Sequence, residues 1–111
     1  MAAQYSGPTS PLTVQNRLFL GEAQLAAGDL ASARATLTQD YQGALAQYGA
    51  QHPLTLRTQL ALSRLLLAEG HVPEAQAQLS AIIPGLRHNG AQTEEELAQA
   101  LNLIHPAQLA K

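Results

Sequence analysis

The chain has 111 residues, of which 46% are hydrophobic, and it carries a formal net charge of −2 without a single cysteine. This length predicts one domain with a modest core, and the missing cysteines exclude disulfides, thiolate metal sites and cysteine nucleophiles. The six basic residues are scattered, which argues against a nucleic-acid interface, because such a surface clusters its cations.

Alanine, leucine and glutamine dominate the sequence. All three favour helices, and no stretch alternates apolar and polar residues, so the sequence predicts an all-α fold. One pattern occurs twice: residues 11–37 and 53–79 align without a gap at an offset of 42, with 11 of 27 positions identical. The matches include residue types that low complexity does not readily supply, namely Pro11/Pro53, Thr13/Thr55 and Gly28/Gly70.

The first copy predicts a helical hairpin. Pro11 suits the first turn of a helix that has Ser10 as its N-cap, and Gly28 suits the left-handed position after the last turn. Asp29 then opens a second helix over about 30–48, which ends at Gly49.

The second copy predicts another hairpin, starting at Pro53 and turning at Gly70, with its second helix over about 72–88. A third helix follows, which Thr93 and Glu96 begin as a capping box. Its face of Leu97, Leu101 and Ile104 would cap the open apolar end of the domain. The domain is expected to span 10–104, between a disordered tail (1–9) and a C-terminal tail (105–111).

Residues 20–33, LGEAQLAAGDLASA, resemble the core of a tetratricopeptide repeat. Leu20-Gly21, Gly28-Asp29-Leu30 and Ala33 stand at the spacing of that motif, and the second copy keeps Leu62, Gly70, Val72 and Ala75. Ser63 replaces the small glycine, and Gln24, Leu66, Leu37 and Leu79 replace the usual aromatics. The period of 42 exceeds the usual length of about 34. With the segment YGAQHPLTL (48–56), it is similar to the kinesin-light-chain-like subclass.

The resemblance covers about 11–104 and implies an α-α superhelix, a TPR-like solenoid of two hairpins plus a capping helix, which would serve as an interaction scaffold. Its register places one set of side chains on the concave wall as candidate partner-binding residues: Gln15, Leu18, Glu22, Leu25, Arg57, Leu60, Arg64 and Leu67. Arg57 and Arg64 would engage a carboxylate or an acidic peptide. Alternatively, the four leucines are inter-helix core, and Arg64 only pairs with Glu22.

Catalytic and metal sites find little support in the sequence. The four histidines lack zinc-ligand spacing, and Glu94-Glu95-Glu96 lacks the loop of a cation site, so it is interpreted as a solvated helix N-terminus. No phosphate loop or nucleophile elbow occurs. We therefore expect no enzymatic activity, no cofactor and no metal.

The sequence thus predicts a module that binds a peptide or protein partner on its concave face. Two alternatives remain: a self-association module that forms a homodimer, or an accessory TPR domain of a larger bacterial signalling protein, such as a Ser/Thr kinase or a transcription regulator. No segment has the apolar character of a signal peptide or a membrane span, so a cytoplasmic location is expected.

Overall fold

The computed structural model describes residues 10–104, and within this range the chain is helical without a β-strand. The prediction of an all-α fold is therefore confirmed for the described residues. The two expected tails, 1–9 and 105–111, lie outside them. The helices are α1 (Pro11–Ala26), α2 (Leu30–Tyr48), α3 (Pro53–Ala68), α4 (Val72–His88) and α5 (Glu94–Ile104), with a 3-10 helix (Gly90–Thr93) before α5.

The first helix pair begins and ends where the local sequence predicts. Ser10 caps α1 by accepting a hydrogen bond from the Thr13 backbone N–H (3.2 Å), and Asp29 caps α2 by accepting one from Ser32 (3.3 Å). Gly28, between the two helices, has a φ of 83°. Because a side chain is strained at this φ, glycine allows the chain to leave α1 and enter α2 within a few residues.

The second pair starts with a different cap. His52 precedes α3 and its Nδ1 accepts a hydrogen bond from the Leu54 N–H at 3.1 Å, whereas His71 makes no side-chain cap for α4. Pro84 lies inside α4 without ending it. Proline removes one helical hydrogen bond, whose acceptor would be the carbonyl of Ser80, an exposed residue at which water can replace the donor.

The capping box expected at the start of α5 is wrong. The Thr93 hydroxyl is buried and donates to the Leu86 carbonyl oxygen at 2.6 Å, while the Glu96 carboxylate lies beside Arg57. Thr93 therefore ties the 3-10 helix to the end of α4. A long-range acceptor has replaced the local cap.

Successive helices pack against each other, from α1 on α2 to α4 on α5. In addition, α1 contacts α3, and α3 contacts α5. The helix α3 is thus central, because it touches all four of the others. The described part of the chain is elongated, with extents of 55 × 32 × 18 Å.

The core consists of leucine, isoleucine, valine and alanine side chains in three adjoining groups. One centres on Leu37 and Leu65, between α1, α2 and α3, and another on Leu79 and Ile82, between α3, α4 and α5. A smaller group surrounds Val14 at the other end of the α1–α2 contact. Burial of this apolar surface supplies most of the stabilisation that holds the helices together.

Close approach of helices depends on small residues. A Cβ atom at Gly21 would lie 2.4 Å from Leu37 Cδ2, so glycine is what allows α1 to approach α2 this closely. The equivalent Ser63 on α3 is fully buried, and its hydroxyl donates to the Gln59 carbonyl at 3.0 Å. A small side chain with its own backbone acceptor is accommodated there.

Within the described residues, α5 packs a partly different set of side chains against the core from the predicted one, and the side chain of the predicted Ile104 lies outside them. Leu97 packs against the α3–α4 core as expected, but Ala100 is the fully buried residue, and Leu103 packs beside it. Leu101 is half-buried. The spacing alone did not distinguish these neighbouring faces, because spacings of three (Leu97, Ala100, Leu103) and of four (Leu97, Leu101) both bring side chains onto one side of a helix.

Candidate functional site

A groove of about 270 Å³ crosses α1, α3 and α5. Its lining residues come from one face of each helix, at spacings of three and four that bring side chains together on a helical surface. They are Gln15, Leu18, Phe19 and Glu22 from α1, Arg57 and Leu60 from α3, and Glu96 and Gln99 from α5.

Two leucines form the floor of the groove. Leu18 and Leu60 are each only 4% exposed, and both belong to the core. Leu25 also packs against the core, and Leu67 is half-buried and lines neither the groove nor the depression beside it. Three of the four leucines, Leu18, Leu25 and Leu60, are therefore part of the inter-helix core, as the alternative interpretation held, and Leu18 and Leu60 also shape the groove.

Arg57 is already engaged within the protein. Its Nε lies 3.3 Å from Glu96 Oε2, and its Nη2 donates to the Gln92 carbonyl oxygen at 2.9 Å. These contacts join α5 and the 3-10 helix to α3. A role of Arg57 in binding an acidic peptide stays a prediction.

Arg64 is the more accessible arginine. Its Nη1 lies 3.8 Å from Glu22 Oε2, and both side chains are more than one-third exposed. A pair at this distance and exposure contributes little to stability, so a ligand can replace it at small cost. Arg64 also lines a second depression with Gln99, Asn102 and Leu103 of α5, next to the groove.

Three groove residues were not among the sequence-predicted set, namely Phe19, Glu96 and Gln99. Phe19 is 57% exposed although it is the only phenylalanine of the chain. Its position four residues after Gln15 and three before Glu22 was a usable signal. Glu96 and Gln99 could not be found in this way, because their place depends on how α5 docks.

The acidic run at the start of α5 is divided by the fold. Glu94 and Glu95 are exposed, in agreement with a solvated helix N-terminus, whereas Glu96 is half-buried beside Arg57. Residues 10–104 bring together no group of three or more histidine, cysteine, aspartate or glutamate side chains suited to a metal ion. In the same range, no helix has both the length and the apolar character needed to cross a membrane.

One buried carboxyl group lies outside the groove. Asp40 on α2 is fully buried, and its carboxyl oxygens have no hydrogen-bond partner among the described residues. Burial raises its pKa to about 6, although the charge of Arg17 acts in the opposite direction. Asp40 is thus a buried group of the first helix pair whose pKa is raised by the loss of water around the carboxylate.

No protein-family model matches this chain, and neither a curated protein nor a solved structure matches it at a significant level.

Proposed function

We propose that this protein is an interaction module that holds a peptide or protein segment in the groove between α1, α3 and α5. In this proposal, α1 with α2 and α3 with α4 form two helical hairpins of a TPR-like α-α superhelix, and α5 is the capping helix. The repeat at an offset of 42 residues supports this arrangement. The contacts of α3 with both α1 and α5 also support it, because the first helix of each unit would line one wall.

The observation that carries the proposal is that equivalent positions of the two repeats meet at this surface. Three pairs at the offset of 42 lie in the groove or in the depression that adjoins it, namely Gln15/Arg57, Leu18/Leu60 and Glu22/Arg64. Corresponding faces of consecutive repeats then form one continuous concave surface, which suits an extended or helical segment better than a compact small molecule.

The lining indicates the chemistry of the partner. The exposed ring of Phe19 offers an apolar contact, Gln15 and Gln99 offer hydrogen bonds, and Arg64 offers an accessible cation. An amphipathic peptide with one apolar anchor and one acidic side chain fits these groups. We propose no catalytic role, because the groove contains no nucleophile paired with a base.

The test begins with a random peptide library displayed on phage and selected on the immobilised full-length chain. Selected peptides are then synthesised and their Kd measured by fluorescence anisotropy. Arg64→Glu combined with Gln99→Ala should weaken binding about tenfold or more, because it reverses the accessible charge and removes a hydrogen-bonding group. Arg57 is left unchanged in this experiment, since it holds α5 in place.

Arg87→Glu is the matched control, because Arg87 is an exposed arginine on α4, away from the groove lining. It should leave Kd unchanged. Peptides that bind the Arg64→Glu/Gln99→Ala variant as tightly as the wild type would show that the groove is not the binding surface.

A further inference from the structure

The outward face of α1 is apolar and exposed. We define this face by Leu12, Asn16, Leu20 and Ala23, which recur at spacings of three and four along the helix. Leu12 is 67% and Leu20 52% exposed, and Asn16 and Ala23 are exposed as well. Of the five large hydrophobic side chains that are exposed among the described residues, three lie on α1, namely Leu12, Phe19 and Leu20. Exposed apolar side chains that cluster on one helix, rather than being scattered singly, indicate a contact surface.

The second repeat shows how the equivalent face of α3 is packed. At the offset of 42, its four positions correspond to Leu54, Thr58, Leu62 and Leu65 on α3. Of these, Leu54, Thr58 and Leu65 are buried, and Leu62 packs against the core. The outward face of α1 therefore occupies the repeat positions that, on α3, pack against neighbouring helices.

The residues that cover the equivalent face of α3 are apolar side chains of this same chain. Val14 and Ala44 surround Leu54, and Leu18 and Leu37 belong to the group around Leu65. On α3, the face at these repeat positions thus has an apolar helical partner. No described helix supplies one for α1, which contacts α2 and α3 through its other sides.

The charges of the exposed surfaces distinguish between two ways in which a second copy could cover this face. The outward face of α1 carries no ionisable side chain, and Asn16 is its single polar residue. At the other end of the described chain, α5 exposes Glu94, Glu95 and Asn102. A head-to-tail contact would press these carboxylates against an apolar surface without a cation, whereas two α1 faces match each other.

We propose that the outward face of α1 is a self-association surface, covered by the same face of a second copy in a two-fold symmetric dimer. In an antiparallel pair of α1 helices centred on Asn16, Leu12 of one copy meets Leu20 of the other. Asn16 then meets its own counterpart, and the two side-chain amides hydrogen-bond across the axis, as a polar residue in a helix–helix seam does. This interface is inferred from the equivalent repeat positions on α3, and none of its four residues lines the groove.

Sedimentation equilibrium over about 1 μM to 1 mM tests the dimer. One helix pair is a small interface, so a reversible dimer with a Kd of the order of micromolar is expected. Leu20→Glu should weaken it by at least about tenfold, because two carboxylates would then enter the apolar contact. Val72→Glu is the control, since Val72 is an exposed apolar residue in the first turn of α4 and should leave the dimer unchanged.

The absence of native cysteine allows a second, geometric test. Asn16→Cys places one thiol on the proposed two-fold axis, and Asn102→Cys places one on the exposed side of α5. Aerobic oxidation should convert the Asn16→Cys protein to a disulfide-linked dimer much faster than the Asn102→Cys protein. Circular dichroism of both variants confirms that the helices are retained.

Each outcome decides the proposal. A strict monomer up to 1 mM, a dimer that Leu20→Glu leaves intact, growth beyond the dimer, or equal cross-linking of the two cysteine variants would each overturn it. The dimer should persist in Arg64→Glu/Gln99→Ala, so loss of peptide binding and loss of self-association are separable. Phe19 borders both surfaces, and for this reason neither test changes it.

Discussion

The two sequence repeats form helix pairs with similar boundaries but very different burial. In α1 the buried residues are Val14, Leu18 and Gly21, whereas α3 buries eight residues, from Leu54 to Leu65. The difference arises because α3 packs against all four of the other described helices, while α1 packs mainly against α2 and α3. A repeated sequence therefore sets which face of a helix is apolar, and the neighbours decide whether that face is covered.

The second helices differ in a similar way. Asp40 on α2 and Ile82 on α4 are equivalent at the offset of 42, and both are buried. In the second pair the position contributes to the core, whereas in the first pair it holds a carboxyl group without a hydrogen-bond partner. The first pair is thus the less optimised of the two, and the substitutions below test this contrast.

The largest effect on stability is expected at a position where the α3 residue is buried and the equivalent α1 residue is exposed. Leu65→Ala gives α3 the residue that α1 has at the equivalent position, Ala23, and leaves a cavity in the central core. This should lower the free energy of unfolding by about 2–5 kcal/mol, measured by urea denaturation in dilute solution.

The reverse exchange, Ala23→Leu, should change the free energy of unfolding by less than about 0.5 kcal/mol, because Ala23 is exposed. A cost for Ala23→Leu comparable to that of Leu65→Ala would mean that the two faces are equally covered, and the contrast between the pairs would then be wrong.

An intermediate effect, with a defined pH dependence, is expected at Asp40. Its pKa of about 6 in the folded protein exceeds the ordinary value of 3.8. Between these pH values the folded protein holds a proton that the unfolded chain has released, so this carboxyl group lowers stability as pH rises from about 4 to 6. Asp40→Asn should therefore stabilise the protein by about 1–3 kcal/mol at pH 8, with no such gain at pH 3.5.

The measurement is urea denaturation of wild type and Asp40→Asn at several pH values. Their difference isolates Asp40 from the other carboxylates, which titrate in both proteins. A difference that stays constant between pH 4 and 8, or that favours the wild type at high pH, would contradict a buried Asp40 without a hydrogen-bond partner.

The smallest effect is expected at the start of the second helix in each pair. Asp29 caps α2 through the Ser32 N–H, whereas His71 makes no side-chain cap for α4. Asp29→Ala should cost about 1 kcal/mol, and His71→Ala less than about 0.5 kcal/mol. Thermal unfolding of the two variants is sufficient to compare them. Equal losses would show that the two starts are equivalent after all.

The helix ends could be predicted from sequence because they depend on local geometry. Gly28, Gly49 and Gly70 all have positive φ, between 83° and 89°, and each follows the helix that it was expected to end. The conformation that glycine permits is a property of a single residue, so no knowledge of packing was needed.

The groove could be predicted only in part. Gln15, Glu22 and Arg64 share faces that spacing alone determines, and the structure places them at one surface. That Arg57 is bound by Glu96 depends on how α5 docks, which no local pattern encodes. The burial of Asp40 was also unexpected, because a charged residue in a helix is ordinarily placed on its solvent side.

The order of helix contacts has a consequence for how the chain folds. The main contacts join helices that are adjacent or next but one in sequence. Each therefore closes a short loop, with a small loss of chain entropy, and within residues 10–104 no strand pairing over long separations has to be found. Folding should be rapid and should begin at whichever helix pair forms first, with α3 joining the two halves.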